Sequence, residues 1–208
     1  SYVLPPLLSR FTEQYPQVQV NLVEATTSQL TDRLFSGSLD LLIDNKSMDP
    51  AIYQKSFFCE EHLLLAVPIR LSVNEKMKNY ALTASDIREN RHLNSRIPPV
   101  PLENFQDEPF LLLKSGNDTR TRADRICHNA HVLPKIKLEL DQQITAYNLS
   151  RYGMGISFCS DTLVRHVPDA GGLVYYKLNH QDALRDVNFY YKRNRYMPRI
   201  VSTFLDMI

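Results

Sequence analysis

Residues 1–43, SYVLPPLLSRFTEQYPQVQVNLVEATTSQLTDRLFSGSLDLLI, carry the pattern that decides the fold. Apolar residues at helical spacing predict a helix over residues 3–15, and alternating apolar and polar residues predict a strand over 18–23. A second helix is predicted over 28–36 and a short apolar strand over 39–43. A strand, a helix and a strand joined by tight connections form a βαβ unit, and such units build parallel sheets. The pattern therefore predicts an α/β fold.

The same pattern returns in the second half of the chain. Strands are predicted at residues 110–113, 134–140 and 155–159, with helices between them at 118–130 and 141–152. Two separate βαβ series joined by extended runs indicate two α/β lobes.

The chain is expected to leave the first lobe near residue 67 and to return near residue 160. Lobe I would then comprise residues 1–67 and 160–208, and lobe II residues 68–159. Residues 69–108, with clustered prolines and scattered charge, are interpreted as a long surface excursion with little core of its own. The remaining predicted elements are a short helix at 161–167, strands at 173–177 and 187–192, and a terminal helix at 197–207.

The composition excludes several classes of protein. A hydrophobic share of 43% excludes a disordered chain, and the net charge of +1 argues against a stand-alone nucleic-acid binder. No apolar run reaches the roughly 18 residues that span a bilayer, so no membrane partner is predicted. The three cysteines are interpreted as buried thiols in a reducing compartment, the cytoplasm. The basic run from Arg185 to Arg199 fits either a DNA-facing patch or, preferably, a solvated strand and turn.

Motifs for catalysis are missing from the sequence. The six glycines cannot form a dinucleotide-binding or phosphate-binding loop, and no nucleophile elbow or paired-histidine zinc motif is present. Neither a cofactor, a metal site nor a catalytic residue is therefore predicted. His128 and His131 beside Cys127 have a metal-compatible spacing, but they are better explained as residues flanking a helix's apolar stripe. The run Glu60-Glu61-His62 is interpreted as a solvated turn.

The first candidate ligand site is the turn Thr26-Thr27-Ser28, which places three hydroxyls at a helix N-terminus. Backbone N–H groups lack intrahelical partners there, and the helix dipole adds partial positive charge. Such a turn can bind a carboxylate or phosphate, although Thr27 or Ser28 could equally serve as an ordinary N-cap.

The second candidate site is the turn that opens the helix at 118–130. It contains Ser115, Asn117, Asp118 and Thr119. As an N-cap, Asp118 would consume backbone donors and repel an anion, but it could instead hold an ammonium group, which would suit a zwitterion such as an amino acid. Plain capping is again the alternative.

The order of these features resembles the effector-binding domain of LysR-type transcriptional regulators. The resemblance includes the F-x-x-x-Y-P ending of the first helix, the hydroxyl turn, the helix closed by Gly37, and the L-D-L-L-I strand. The later stretches DEPFLLL and RYGMGISFCSDTL are similar to the family's second lobe and return crossing. The resemblance implies two Rossmann-like lobes of the type II periplasmic-binding-protein kind, joined by two crossover segments. A small carboxylate-bearing effector would be bound between the lobes.

The resemblance also implies roles for particular residues. Thr27 matches a hydroxyl position that contacts the effector, Thr26 and Ser28 flank it, and residues 117–119 fall where the second lobe supplies contacts. A further contact loop would end near Ser1.

The partners implied by the resemblance are a second copy, as a homodimer or tetramer, and DNA. The DNA would be bound by an N-terminal helix-turn-helix that this chain lacks, so the chain is expected to be a fragment of a longer protein. Two alternatives are a solute-binding protein of a transporter with the same fold and an enzyme built on this scaffold.

Overall fold

The computed structural model describes residues 3–208 and divides the chain into two units. Unit 1 contains the chain up to Glu60 together with Asp186–Ile208, and unit 2 contains Glu61–Arg185. The chain passes from one unit to the other along two strands, β2 (Tyr53–Pro68) and β7 (Leu184–Lys192). These boundaries differ from the expected ones near 67 and 160.

Besides the parts of β2 and β7 that fall in it, the described part of unit 1 contains three helices and a short strand. They are α1 (Leu4–Gln14), α2 (Thr27–Ser36), β1 (Leu42–Asp44) and α8 (Arg199–Leu205). Strand β1 pairs antiparallel with β7. An aromatic cluster joins α1, β7 and α8: the ring centroids of Phe11 and Phe204 are 5.1 Å apart, and those of Phe189 and Phe204 are 5.6 Å apart. Edge-on contacts of this kind add to the free energy gained from burying the rings.

The end of α2 confirms the prediction made for Gly37. This residue has a φ of +84°, in the left-handed region that side chains disfavour. Its N–H donates to the carbonyls of Arg33 and Leu34, which closes the last turn of the helix.

The strand predicted at residues 18–23 is wrong. The segment forms no ladder with any strand in the described part of the chain, and Val20 and Leu22 have exposed side chains. Alternation of apolar and polar residues produces a strand only where a neighbouring strand supplies hydrogen bonds. Because β1 (Leu42–Asp44) pairs antiparallel with β7, the parallel βαβ unit predicted for this half is not formed among residues 3–208.

Unit 2 contains a mixed five-stranded sheet in the order β6-β2-β5-β3-β4. Strand β3 is parallel to β4 and β5, which confirms the second predicted βαβαβ series, and β2 is antiparallel to β5 and β6. Residues 160–185 fall in unit 2 because β6 pairs with β2. The elements between β2 and β7 are α3 (Val73–Lys76), α4 (Ala84–Arg88), β3 (Pro109–Leu113), α5 (Asp118–Asn129), β4 (Lys135–Leu140), α6 (Gln143–Arg151), β5 (Ile156–Ser160), α7 (Asp161–His166) and β6 (Leu173–Lys177).

The interpretation of residues 69–108 as a surface excursion is also wrong. Val100, Leu102 and Phe105 are buried and belong to the main core of unit 2. The Phe105 ring lies 5.4 Å from that of Tyr176 on β6. Val100 lies in a segment without regular structure, and Leu102 and Phe105 lie on a 3-10 helix of four residues. Such short elements show neither α-helical nor strand periodicity, so the pattern did not reveal them.

Two of the three thiols are buried as expected. Cys127 and Cys159 are buried, whereas Cys59 is half-buried. Burial raises the pKa of Cys127 to about 12, so its thiol stays protonated at neutral pH. No helix within residues 3–208 combines the length and the apolar character needed to cross a membrane.

The core position of residues 69–108 can be tested with Leu102→Ala. Leu102 is 4% exposed and Leu93, in the same segment, is 48% exposed. We expect Leu102→Ala to lower the free energy of unfolding by about 2–5 kcal/mol because it leaves a cavity, and Leu93→Ala by under about 1 kcal/mol. Urea unfolding of both variants measures the difference. Equal, small losses would mean that the segment does not support the core.

Candidate functional site

The hydroxyl turn of unit 1 begins α2 (Thr27–Ser36) with a complete capping box. The N–H of Gln29 donates to Thr26 Oγ1 at 3.4 Å, and the N–H of Thr26 donates to Gln29 Oε1 at 3.2 Å. This arrangement leaves the N–H groups of Thr27 and Ser28 without an acceptor among the described residues. Thr26 is therefore the N-cap, and the open first turn keeps two donors available to a ligand.

Thr27 directs its hydroxyl at a carboxylate. Its Oγ1 donates to Asp44 Oδ2 at 2.9 Å, while Asp44 Oδ1 accepts from the N–H of Lys46 at 2.8 Å. No basic side chain pairs with Asp44 in the part of the chain that the structure describes. Ser28 is exposed on the first turn of α2. The predicted contact near Ser1 lies outside the described residues.

The turn of unit 2 is capped by Asn117, one residue earlier than Asp118. Asn117 Oδ1 accepts from the N–H of Thr119 at 2.9 Å. The N–H groups of Asp118 and Arg120 find no acceptor within residues 3–208. Ser115 is exposed in the preceding turn. The first turn of α5 thus resembles that of α2, with an N-cap side chain and two remaining backbone donors.

A buried arginine organises the residues behind this turn. Arg185 Nε donates to Glu61 Oε2 at 2.9 Å, and its Nη2 lies 2.9 Å from the same oxygen. Its Nη1 donates to Asp118 Oδ2 at 3.1 Å and to Thr119 Oγ1 at 3.0 Å. Asp118 Oδ2 also accepts from Arg122 Nε at 2.7 Å. We call these five residues the Arg185 cluster. Its two arginines balance its two carboxylates.

The Arg185 cluster changes the interpretation of three sequence features. Glu61 lies within β2 (Tyr53–Pro68) and is buried, so the solvated turn expected at Glu60-Glu61-His62 is wrong. Arg185 is buried rather than part of a solvated basic run. Asp118 is paired with two arginines, and its carboxylate is therefore not free to capture an ammonium group. Glu61 and Arg185 are 124 positions apart, and no local motif connects them.

Three other basic residues of the 185–199 run donate to carbonyls of unit 1. Lys192 Nζ donates to the carbonyl of Phe35 at 2.7 Å, Arg193 to that of Pro50 at 3.0 Å, and Arg195 to that of Leu39 at 3.2 Å. These contacts use the side chains within the protein, which disfavours the DNA-facing interpretation.

A second polar cluster in unit 2 surrounds Asp161, the first residue of α7 (Asp161–His166). Asp161 Oδ2 lies 3.0 Å from His92 Nε2, 3.7 Å from His62 Nδ1 and 2.9 Å from Arg165 Nη2. Burial alone would raise the pKa of Asp161, but hydrogen bonds from His62 and His92 outweigh burial and hold it well below its ordinary value. We call these four residues the Asp161 cluster. No motif in the sequence predicted this cluster.

Two solved structures with a similar fold are a regulatory domain and an effector binding domain. The regulatory domain of Synechocystis PCC6803 CcmR in complex with 2-PG superposes with a TM-score of 0.79 at 20% identity, covering 99% of this chain and 88% of that one. The BenM effector binding domain with its effector benzoate gives a TM-score of 0.71 at 22% identity, covering 99% and 83%. These likenesses confirm the two-lobed α/β fold implied by the resemblance.

The chain belongs to the LysR substrate binding domain family, whose model matches residues 1–208. Among similar proteins of Bacillus subtilis (strain 168), the uncharacterized HTH-type transcriptional regulator YcgK is 26% identical over 206 residues, and YybE, described in the same words, is 25% identical over 209. The alignments cover 99% and 97% of this chain, but 62% and 61% of those proteins. The chain thus spans about three fifths of the length of these relatives.

The importance of the Arg185 cluster can be tested with Glu61→Gln. This change removes the main partner of a buried guanidinium, so we expect the free energy of unfolding to fall by about 3 kcal/mol. The control is Glu75→Gln, which breaks the exposed pair between Glu75 and Lys78 and should cost under about 1 kcal/mol. Chemical denaturation measures both. Equal effects would contradict a structural role for the buried pair.

Proposed function

We propose that this chain is the effector-sensing domain of a bacterial transcriptional regulator and that it binds a small carboxylate-bearing molecule through two turns. Thr26, Thr27 and Ser28 supply the contacts in unit 1, and Ser115, Asn117, Asp118 and Thr119 supply those in unit 2. The membership of the whole chain in the LysR substrate binding domain family supports a sensing role. Benzoate, the effector named for BenM, is itself a carboxylate.

The observation that carries the proposal is the pair of donors at the start of α2. The N–H groups of Thr27 and Ser28 point out of the first turn of a ten-residue helix, where the dipole favours a negative group. The start of α5 offers a similar pair at Asp118 and Arg120. A carboxylate can accept two such hydrogen bonds at once.

Asp44 narrows the class of effector further. Its carboxylate accepts the hydroxyl hydrogen of Thr27 and lies beside the same turn, so a multiply charged anion would be repelled. A molecule with one carboxylate and a hydroxyl or amino group would instead donate to Asp44. We therefore propose a hydroxy acid or an amino acid as the effector rather than sulfate, phosphate or a dicarboxylate.

In the full-length protein, effector binding would alter transcription through a helix-turn-helix that binds DNA. The relatives are named as HTH-type transcriptional regulators, which supports this arrangement. We also propose assembly of two or four copies and a cytoplasmic location. The ligand must favour one conformation by its differential affinity. We propose no catalytic activity for this domain, and no resident cofactor for effector sensing.

The proposal is tested by thermal unfolding of this chain against hydroxy acids, amino acids, aromatic acids, dicarboxylates and inorganic anions. A ligand at 100 times its Kd adds about 2.7 kcal/mol to the free energy of unfolding, which raises Tm by several degrees. We expect one of the first two classes to give this shift. Asp44→Asn should lessen the discrimination against dicarboxylates.

Matched variants locate the contacts. Thr27→Ala should weaken binding about tenfold because it removes a hydroxyl at the ligand. Its control is Thr31→Ala, one turn further along α2, whose hydroxyl donates to the carbonyl of Thr27. Asn117→Ala is compared in the same way with Asn129→Ala at the other end of α5. An absence of shift with every class, or equal weakening by Thr27→Ala and Thr31→Ala, would contradict the proposal.

A further inference from the structure

We propose that His62, His92 and Asp161 form a binding site for a divalent transition-metal ion such as Zn2+. The site lies within unit 2 and is separate from the two turns assigned to the effector. It joins three elements: β2 carries His62, the turn at residues 91–93 carries His92, and α7 (Asp161–His166) begins at Asp161.

The ligand set is suited to a borderline metal ion. Two imidazole nitrogens and one carboxylate oxygen are the donors that Zn2+ uses in three-residue sites, with a fourth position left for water or another ligand. Ligand atoms of the three residues all lie within 4.8 Å of one another. It is the one group of three such side chains in the part of the chain that the structure describes.

Two of the three donor separations are close to those of tetrahedral coordination. With metal–ligand bonds of about 2.0–2.1 Å, neighbouring donors in a tetrahedron lie roughly 3.3 Å apart. The separation between Asp161 Oδ2 and His92 Nε2 is 3.0 Å, and that between Asp161 Oδ2 and His62 Nδ1 is 3.7 Å.

The two oxygens of Asp161 have different surroundings. Oδ1 accepts from the backbone N–H groups of His62 at 2.9 Å and Thr162 at 2.8 Å, which fixes the orientation of the carboxylate. Oδ2 faces both imidazoles and Arg165. A carboxylate that is anchored through one oxygen and presents the other to two histidines is preorganised for a cation.

Arg165 takes the place of the cation in the structure. Its Nη2 lies 2.9 Å from Asp161 Oδ2 and 3.4 Å from His92 Nε2, so a positive group already lies beside two of the ligand atoms. The Arg165 side chain is 31% exposed and can rotate into solvent. An incoming metal ion would displace this guanidinium, bond to Oδ2 and the two imidazole nitrogens, and release any proton held on those nitrogens to water.

The environment of His92 also favours a ligand. The side chain is 1% exposed, and its Nδ1 has no hydrogen-bond partner within residues 3–208. Its Nε2 therefore makes the polar contacts that orient the buried ring. His62 is 31% exposed, which leaves a route from solvent to the site.

The experiment is calorimetric titration of this chain with Zn2+, with Mg2+ as a hard-cation control, in the presence of a non-thiol reductant. We expect one Zn2+ per chain and no comparable binding of Mg2+. His92→Gln and the more exposed His62→Gln should each weaken Zn2+ binding at least tenfold. Arg165→Gln should strengthen it several-fold, because the competing positive charge is gone.

The matched control is His128→Gln, which removes an exposed histidine from α5 and should leave Zn2+ affinity unchanged. Unfolding of His62→Gln without metal shows whether the variant is folded. The proposal is overturned if the wild type shows no saturable Zn2+ binding, or if folded His62→Gln binds as tightly as the wild type. It is also overturned if Cys59→Ser, rather than His62→Gln, abolishes binding. None of these outcomes bears on the effector titrations with Thr27→Ala.

Discussion

The candidate site of unit 2 depends on the hydrogen bonds and ion pairs of one buried group, the guanidinium of Arg185. Placing an arginine in the interior is costly unless its donors are matched, and here Glu61, Asp118 and Thr119 match them. The contacts connect the start of β7 with β2 and the first turn of α5. The position of the Asn117–Thr119 turn is therefore set by charge pairing as well as by its own capping.

The two candidate turns have similar backbone donors but different charged neighbours. Each begins a helix with a polar N-cap, Thr26 or Asn117, and each leaves two backbone donors without an acceptor among residues 3–208. Near Thr27, the carboxylate of Asp44 lies beside the donors and has no basic partner among residues 3–208. Near Thr119, by contrast, arginines balance the charge of the Asp118 carboxylate. The first turn should consequently discriminate more strongly than the second against multiply charged anions.

Much of the fold was predictable from periodicity, because helices such as α2 and parallel strands such as β3 bury regular faces. The strand predicted at 18–23 was wrong because alternation of apolar and polar residues does not show whether a partner strand exists. Val100, Leu102 and Phe105 were missed because residues in irregular segments and short 3-10 helices enter a core without any period.

The candidate site shows the same division between local and distant information. Thr26, Thr27 and Asn117 were identifiable because capping is encoded within a few residues. Other site residues could not be identified from the sequence, because their partners are far away along the chain and meet them only in the folded protein. These residues are Glu61, Arg185, His92 and Asp161.

The order of elements along the chain has a consequence for biosynthesis. Unit 2 is inserted into unit 1, so α1 and β1 emerge from the ribosome long before β7 and α8, against which they pack. In unit 2, strand β2 cannot complete its pairing until β6 has been synthesised. Such distant pairing slows folding and leaves apolar surface uncovered during synthesis. Helix α1 therefore completes its packing only once α8 has been translated.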